Sequence, residues 1–142
     1  MAVSNGGDEY EKAEAFIYEK NLEGRVFFLK DLPWYELPII YHMSQGLIYP
    51  SIYEGFGLPI LEALRCGKPV ITSNLSSMPE VGGDACIFID PMNVEEISAA
   101  INFIYYNLEL AAEVKIKAMH QVQKFNPEKM TAKMMDVYKS LR

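Results

Sequence analysis

Two glutamates in the stretch YPSIYEGFGLPILEALRCGKPVITSN, residues 49–74, are the side chains best placed for chemistry. Glu54 and Glu62 stand eight positions apart among glycine, proline and aliphatic residues, where an unpaired buried charge is costly. A ligand rich in hydroxyls would satisfy such carboxylates, which only accept hydrogen bonds when ionised. Gly55 and Gly57 carry no side chain to block a ligand, and Pro59 suits a first helical turn. The run ahead of them, Gly46 to Pro50, reads as a strand. A strand end that feeds a glycine-bearing loop and a helix N-terminus is where doubly wound folds bind phosphorylated ligands, because free backbone N–H groups and the helix dipole favour an anion. Glu54 is expected at the mouth of such a site and Glu62 about one and a half turns inside the helix, both facing one ligand. The residue types alone leave another reading open, in which Glu62 pairs with Arg65 three residues on and Glu54 is a solvated loop residue.

The elements that must position these residues alternate. Apolar runs at Arg25–Leu29, Gly46–Pro50, Pro69–Ser73 and Cys86–Asp90 are unbroken rather than alternating, as in parallel strands covered on both faces. Helical patterns fall between them at Glu9–Lys20, Pro33–Met43 and Leu58–Cys66, which is βαβ logic. The segment after Ser73 is mostly loop, with one helical turn at Met78–Val81. Three helices close the chain, at Val94–Asn107, Glu109–Lys124 and Pro127–Leu141, the last capped by Asn126. Its stripe of Met130, Met134, Met135, Val137, Tyr138 and Leu141 is expected to pack in the core.

With 142 residues, half of them apolar, the chain suffices for one domain with its own core. A net charge of -6 argues against a nucleic-acid partner. There is no run of about 20 apolar residues and no signal-peptide pattern at the start, so a cytoplasmic location is expected. Cys66 and Cys86 have no zinc spacing and read as reduced core thiols. His42 and His120 lie far apart and read as surface or boundary residues, so no metal site is expected.

The stretch from Pro50 to Pro91 resembles the signature region of retaining glycosyltransferases of family 4, which have the two-domain GT-B fold. The resemblance rests on Pro50, Ser51, Glu54 to Pro59, Glu62, Ala63, Gly67, Pro69, Val70, Ser73, Pro79 to Val81 and Gly83 to Ala85. A looser similarity runs from about Asn5 to the end. It implies an α/β fold, a Rossmann-like parallel sheet of about four strands with flanking helices and a helical C-terminus, residues 1–142 forming a single partial nucleotide-sugar-binding domain. It also implies a UDP- or GDP-linked sugar donor, no further cofactor, no metal, and transfer with retention of configuration. Glu54 would be the catalytic-site residue, contacting the donor sugar near the reacting centre. Backbone amides around Phe56, Gly57 and Leu58 would hold the diphosphate, and Glu62 the ribose hydroxyls.

The resemblance covers only the donor side. It implies that an N-terminal acceptor domain is missing, that the chain alone is inactive or nearly so, and that the full-length enzyme is cytoplasmic or peripheral to a membrane. AVSNGGDEY resembles only the tail of a second strand and its loop, and Lys30 stands where the family favours glycine. Without the first strands, Arg25–Leu29 is expected to pair directly with Gly46–Pro50, or a second copy of the chain to cover the edge. The C-terminal helix offers a second route to self-association. The alternative function is a non-catalytic module for protein association, whose stability would not respond to nucleotides.

Overall fold

The computed structural model describes residues 2–3, 8–107 and 109–141. The chain divides into two compact units, Met1–Leu37 and Pro38–Arg142. In the first, strands β1 (Ala2–Val3) and β2 (Phe28–Leu29) pair in parallel, and helix α1 (Asp8–Glu19) lies between them in sequence. The Tyr10 ring packs edge-on against Phe28, centroids 4.6 Å apart, and Lys30 Nζ sits 3.9 Å above the Tyr10 ring.

This corrects one expectation. Phe28–Leu29 takes Ala2–Val3 as its partner, in a two-stranded sheet of its own, and the other sheet has three strands rather than about four. Ala2–Val3, just before the first helix, supplies the ladder for the two residues of 25–29 that are extended, in place of the expected partner strand. The loop expected next, residues 4–7, lies outside the described residues.

The first unit ends with a 3-10 turn at Trp34–Glu36, and the second begins inside helix α2 (Leu37–Met43). The expected helix over 33–43 breaks there because Pro38 in a helix interior would crowd the carbonyl four residues back and leaves no N–H to donate; as the second residue of α2 it is tolerated. Strands β3 (Leu47–Tyr49), β4 (Val70–Ser73) and β5 (Cys86–Ile89) form a parallel sheet in that order, with Leu47 opposite Val70 and Val70 opposite Cys86. Gly46 lets β3 approach closely: a Cβ there would lie 2.9 Å from the Pro69 carbonyl oxygen, which accepts the Leu47 N–H.

All four residues of β4 are buried, and because successive side chains point to opposite faces they feed two cores. Val70 joins Ile60, Leu61, Ala63 and Leu64 of α3 (Leu58–Arg65), Met78 and Val81 of α4 (Met78–Gly82), and Ala118 of α6 (Leu110–Lys124). Ile71 joins Ile89 of β5 and Ala100 of α5 (Val94–Tyr106) on the other face. Each fully buried Ile or Leu contributes about 1.5–3 kcal/mol, which explains why β4 reads as an unbroken apolar run. Gln121 ties α6 to α4 by donating to the carbonyls of Glu80 and Val81 at 2.7 and 2.9 Å.

Helix α7 (Pro127–Ser140) starts as expected, with the Asn126 side chain accepting the Glu128 N–H at 2.8 Å. Its methionine stripe does not enter a core. Met130, Met134, Met135, Val137, Tyr138 and Leu141 are all exposed; an apolar stripe at helical spacing looks the same in sequence whether or not a core faces it. No helix among the described residues is long and apolar enough to cross a membrane.

Candidate functional site

After β3 the chain runs from Pro50 to Gly57 as an irregular loop and then enters α3. A loop has no ladder to satisfy its backbone, and here serines of the β4–α4 segment do so. Ser73 Oγ donates to the Ser51 carbonyl at 2.5 Å. Ser76 Oγ donates to the Glu54 carbonyl at 2.8 Å and accepts the Glu54 N–H at 3.4 Å. The single Ser77 Oγ–H is shared between the carbonyls of Glu54 and Phe56, at 3.0 and 2.9 Å. The Phe56 ring adds an edge-on contact with Phe125, centroids 5.4 Å apart, so the loop is anchored at both ends.

Gly57 caps α3 with φ +98 and ψ 49, a left-handed conformation open to glycine. Pro59 has no N–H, and the Ile60 N–H turns back to the Gly57 carbonyl at 3.0 Å. The amides of Gly57 and Leu58 therefore stand ahead of the helix's own hydrogen bonds, at the positive end of its dipole. Leu58 itself is exposed, while Gly57 is buried.

Both carboxylates are half-buried and both are met by neutral hydroxyls. Glu54 Oε1 accepts from Tyr49 Oη at 2.5 Å and from Ser51 Oγ at 3.0 Å. Glu62 Oε2 accepts from Tyr41 Oη at 3.1 Å. Arg65 is exposed and forms no ion pair with Glu62. Burial first, and then the hydrogen bond to Glu54, push the Tyr49 hydroxyl up to about 12. Burial, the Glu62 charge and the hydrogen bond to it raise Tyr41 well above the ordinary tyrosine range, with Tyr49 adding to the shift. Both hydroxyls thus remain protonated donors at neutral pH.

The sequence does not mark these partners as site residues. Tyr49 follows Ile48 in an apolar run, Tyr41 lies 21 positions before Glu62 on another helix, and the serines read as generic loop. Their only signal was the clustering of Ser73, Ser76 and Ser77 after a strand. Cys86, by contrast, is free and half-buried as a core thiol should be, and burial pushes it up to about 12. His42 and His120 are exposed. Among the described residues no group of three or more His, Cys, Asp or Glu lies together in a way that would hold a metal ion.

The sequence pattern of the family described as "Glycosyl transferases group 1" matches residues 2–121, which include Glu54, Phe56, Gly57, Leu58 and Glu62. The chain belongs to the glycosyl transferases group 1 family. Among other members, it is 40% identical over 119 residues to the O-antigen chain mannosyltransferase B of Escherichia coli, covering 84% of this chain and 31% of that one. The structure superposes on the sucrose-phosphate synthase of Thermosynechococcus elongatus with a TM-score of 0.86 and 27% identity, over 98% of this chain and 37% of the other. It also superposes on Anabaena Alr3699/HepE, a structure in complex with UDP, with a TM-score of 0.83 and 23% identity over 94% and 37% of the two chains. The fold class is thus that of GT-B glycosyltransferases, a parallel sheet between helices, and the chain spans about a third of the length of these relatives.

Proposed function

We propose that the chain is the donor-binding part of a retaining glycosyltransferase of family 4, holding a UDP- or GDP-linked sugar. The observation that carries this reading is the arrangement at the head of α3. The amides of Gly57 and Leu58 open α3, Glu54 lies three residues before Gly57 on the loop and Glu62 four residues after Leu58 inside the helix, and among the described residues both carboxylates have only neutral hydroxyls as side-chain partners. Amides at a helix N-terminus suit a diphosphate, and carboxylates with acceptor capacity to spare suit sugar hydroxyls.

In this reading the diphosphate lies against the amides of Phe56, Gly57 and Leu58, Glu62 accepts from the ribose, and Glu54 orients the transferred sugar. The bond from the anomeric carbon to the diphosphate oxygen breaks, its electron pair staying on the diphosphate. The acceptor oxygen bonds to the same face of that carbon, and its proton passes to a leaving phosphate oxygen. The protein's share is positioning and stabilisation of charge developing on the diphosphate, with Glu54 positioning rather than exchanging a proton. Kinship with a mannosyltransferase makes nucleotide-linked mannose the first donor to test. Because the chain spans about a third of its relatives, it is expected to bind donor without transferring sugar unaided.

Thermal denaturation with UDP, GDP, ADP and their sugar conjugates tests the reading. Ligand at ten times Kd stabilises the native state by about 1.4 kcal/mol. UDP or GDP should raise the melting temperature, and Glu62→Ala should reduce the rise. No response to any nucleoside diphosphate at millimolar concentration would refute donor binding and leave the association module.

A further inference from the structure

We propose that Tyr41 is a specificity-determining residue for the donor's ribose, acting as a positioning residue that presents the Glu62 carboxylate to a vicinal diol. The inference rests on the donor-site reading above and adds to it a side chain from a different helix.

The geometry begins with how α2 is held. Lys68 Nζ, in the turn after α3, donates to the carbonyls of His42 and Ser44 at 2.9 and 2.8 Å. Ser44 Oγ donates to the Tyr41 carbonyl at 2.9 Å, and the Ser44 N–H is shared between the carbonyls of Ile40 and Tyr41. The end of α2 is therefore closed by side chains rather than left to fray. The Tyr41 ring packs against the core cluster that contains Ile60, Leu61 and Leu64 of α3. From that fixed base its hydroxyl reaches Glu62 Oε2 at 3.1 Å.

The chemistry of the contact then decides what Glu62 can recognise. An ionised carboxylate has about four lone-pair sites on two oxygens, and Tyr41 occupies one of them. Oε1 accepts no side-chain hydrogen bond among the described residues. Lys68 donates to the α2 carbonyls, and Arg65 is exposed and forms no ion pair with Glu62. An uncompensated carboxylate repels anions and accepts from neutral donors, so its natural ligand is a pair of hydroxyls. Tyr41 fixes which oxygen faces them, because rotation of the carboxylate would break the hydrogen bond. A glutamate locked by Arg65 could not serve in this way, since a bidentate ion pair occupies both oxygens.

The test is calorimetric. Kd is measured for UDP and GDP and for their 2′-deoxy and 3′-deoxy counterparts, with the wild-type chain, Tyr41→Phe, Glu62→Gln and the double variant. Tyr41→Phe removes one oxygen and keeps the ring on the core. It should weaken the ribonucleotide about tenfold, the scale of one hydrogen bond to a charged group, and leave the deoxynucleotides within about twofold, so the preference for ribose falls towards one. The double variant should be no weaker than Glu62→Gln alone. An unchanged ribose preference in Tyr41→Phe, or an equal loss for all ligands, overturns the proposal while the donor site stands. No binding of any nucleotide to the wild-type chain overturns both.

A second measurement covers a Tyr41→Phe chain that fails to fold. With the wild-type chain labelled at tyrosine, Tyr41 ring resonances should shift with the ribonucleotide and much less with the 3′-deoxy analogue. Equal shifts with both would overturn the role assigned to Tyr41.

Discussion

Replacing Gly57 by alanine should cost far more than the same change at Gly55, two positions away in the loop that leads to α3. Gly57 has φ +98, and a Cβ built there lies 3.2 Å from Ile60 Cδ1, a side chain that is fully buried. A left-handed backbone costs an L-residue roughly 1–2 kcal/mol, and crowding a packed core side chain adds up to about 1 kcal/mol. The expected loss is about 2 kcal/mol, or about 8 °C in melting temperature for a chain of this size. At Gly55 a Cβ meets nothing within 4 Å, and the backbone is not left-handed. Gly55→Ala should therefore stay within about 0.5 kcal/mol of wild type. Urea unfolding followed by circular dichroism at the helical band measures both. Equal effects, or a Gly57→Ala chain as stable as wild type, would refute the claim that this glycine is required by the turn into α3.

Two further outcomes concern the hydroxyls at the site and a thiol of β5. Tyr49 has an ordinary value of 10.0 and is held at about 12 in the fold, and Cys86 rises from 9.0 to about 12. Each is neutral in the folded chain at pH values where the unfolded chain has begun to ionise, so its contribution is complete below the ordinary value and is lost as pH climbs through about 12. Tyr41 shifts in the same direction. Urea midpoints should be level up to about pH 9 and then fall, and tyrosinate absorbance should contain a late-ionising fraction that urea abolishes; a midpoint constant to pH 12 would contradict this. Ser77→Ala removes the donor shared by the Glu54 and Phe56 carbonyls, which should cost about 1 kcal/mol and speed amide exchange across residues 54–57, whereas unchanged exchange would show that Ser76 and Ser73 hold the loop without it.

The sequence made the second unit legible because its elements are decided locally. The runs around Ile48, Ile71 and Ile87 are short and unbroken and do form parallel strands, fully covered on both faces at β4 while Ile48 of β3 stays exposed, and Pro59 and Asn126 mark the starts of α3 and α7. What escaped depended on contacts between distant residues. The pairing of Phe28–Leu29 with Ala2–Val3 involves so few residues that no periodicity signals it. Helix α7 carries an amphipathic stripe that looks like any core-facing helix, yet its apolar side is exposed. At the site, Glu54, Gly57 and Glu62 stood out by type and spacing, while Tyr41, Tyr49 and the three serines did not. Tyrosines and serines are too common for position alone to mark them, and only the fold brings their hydroxyls to the two carboxylates.

Mapping of backbone amide resonances during titration with UDP or GDP addresses the donor site most directly. Saturable shifts should centre on Phe56, Gly57 and Leu58 and extend to Glu62 and Tyr41. Shifts that cluster elsewhere, on α7 for example, or no shifts at all, would contradict the assignment of the diphosphate to the head of α3.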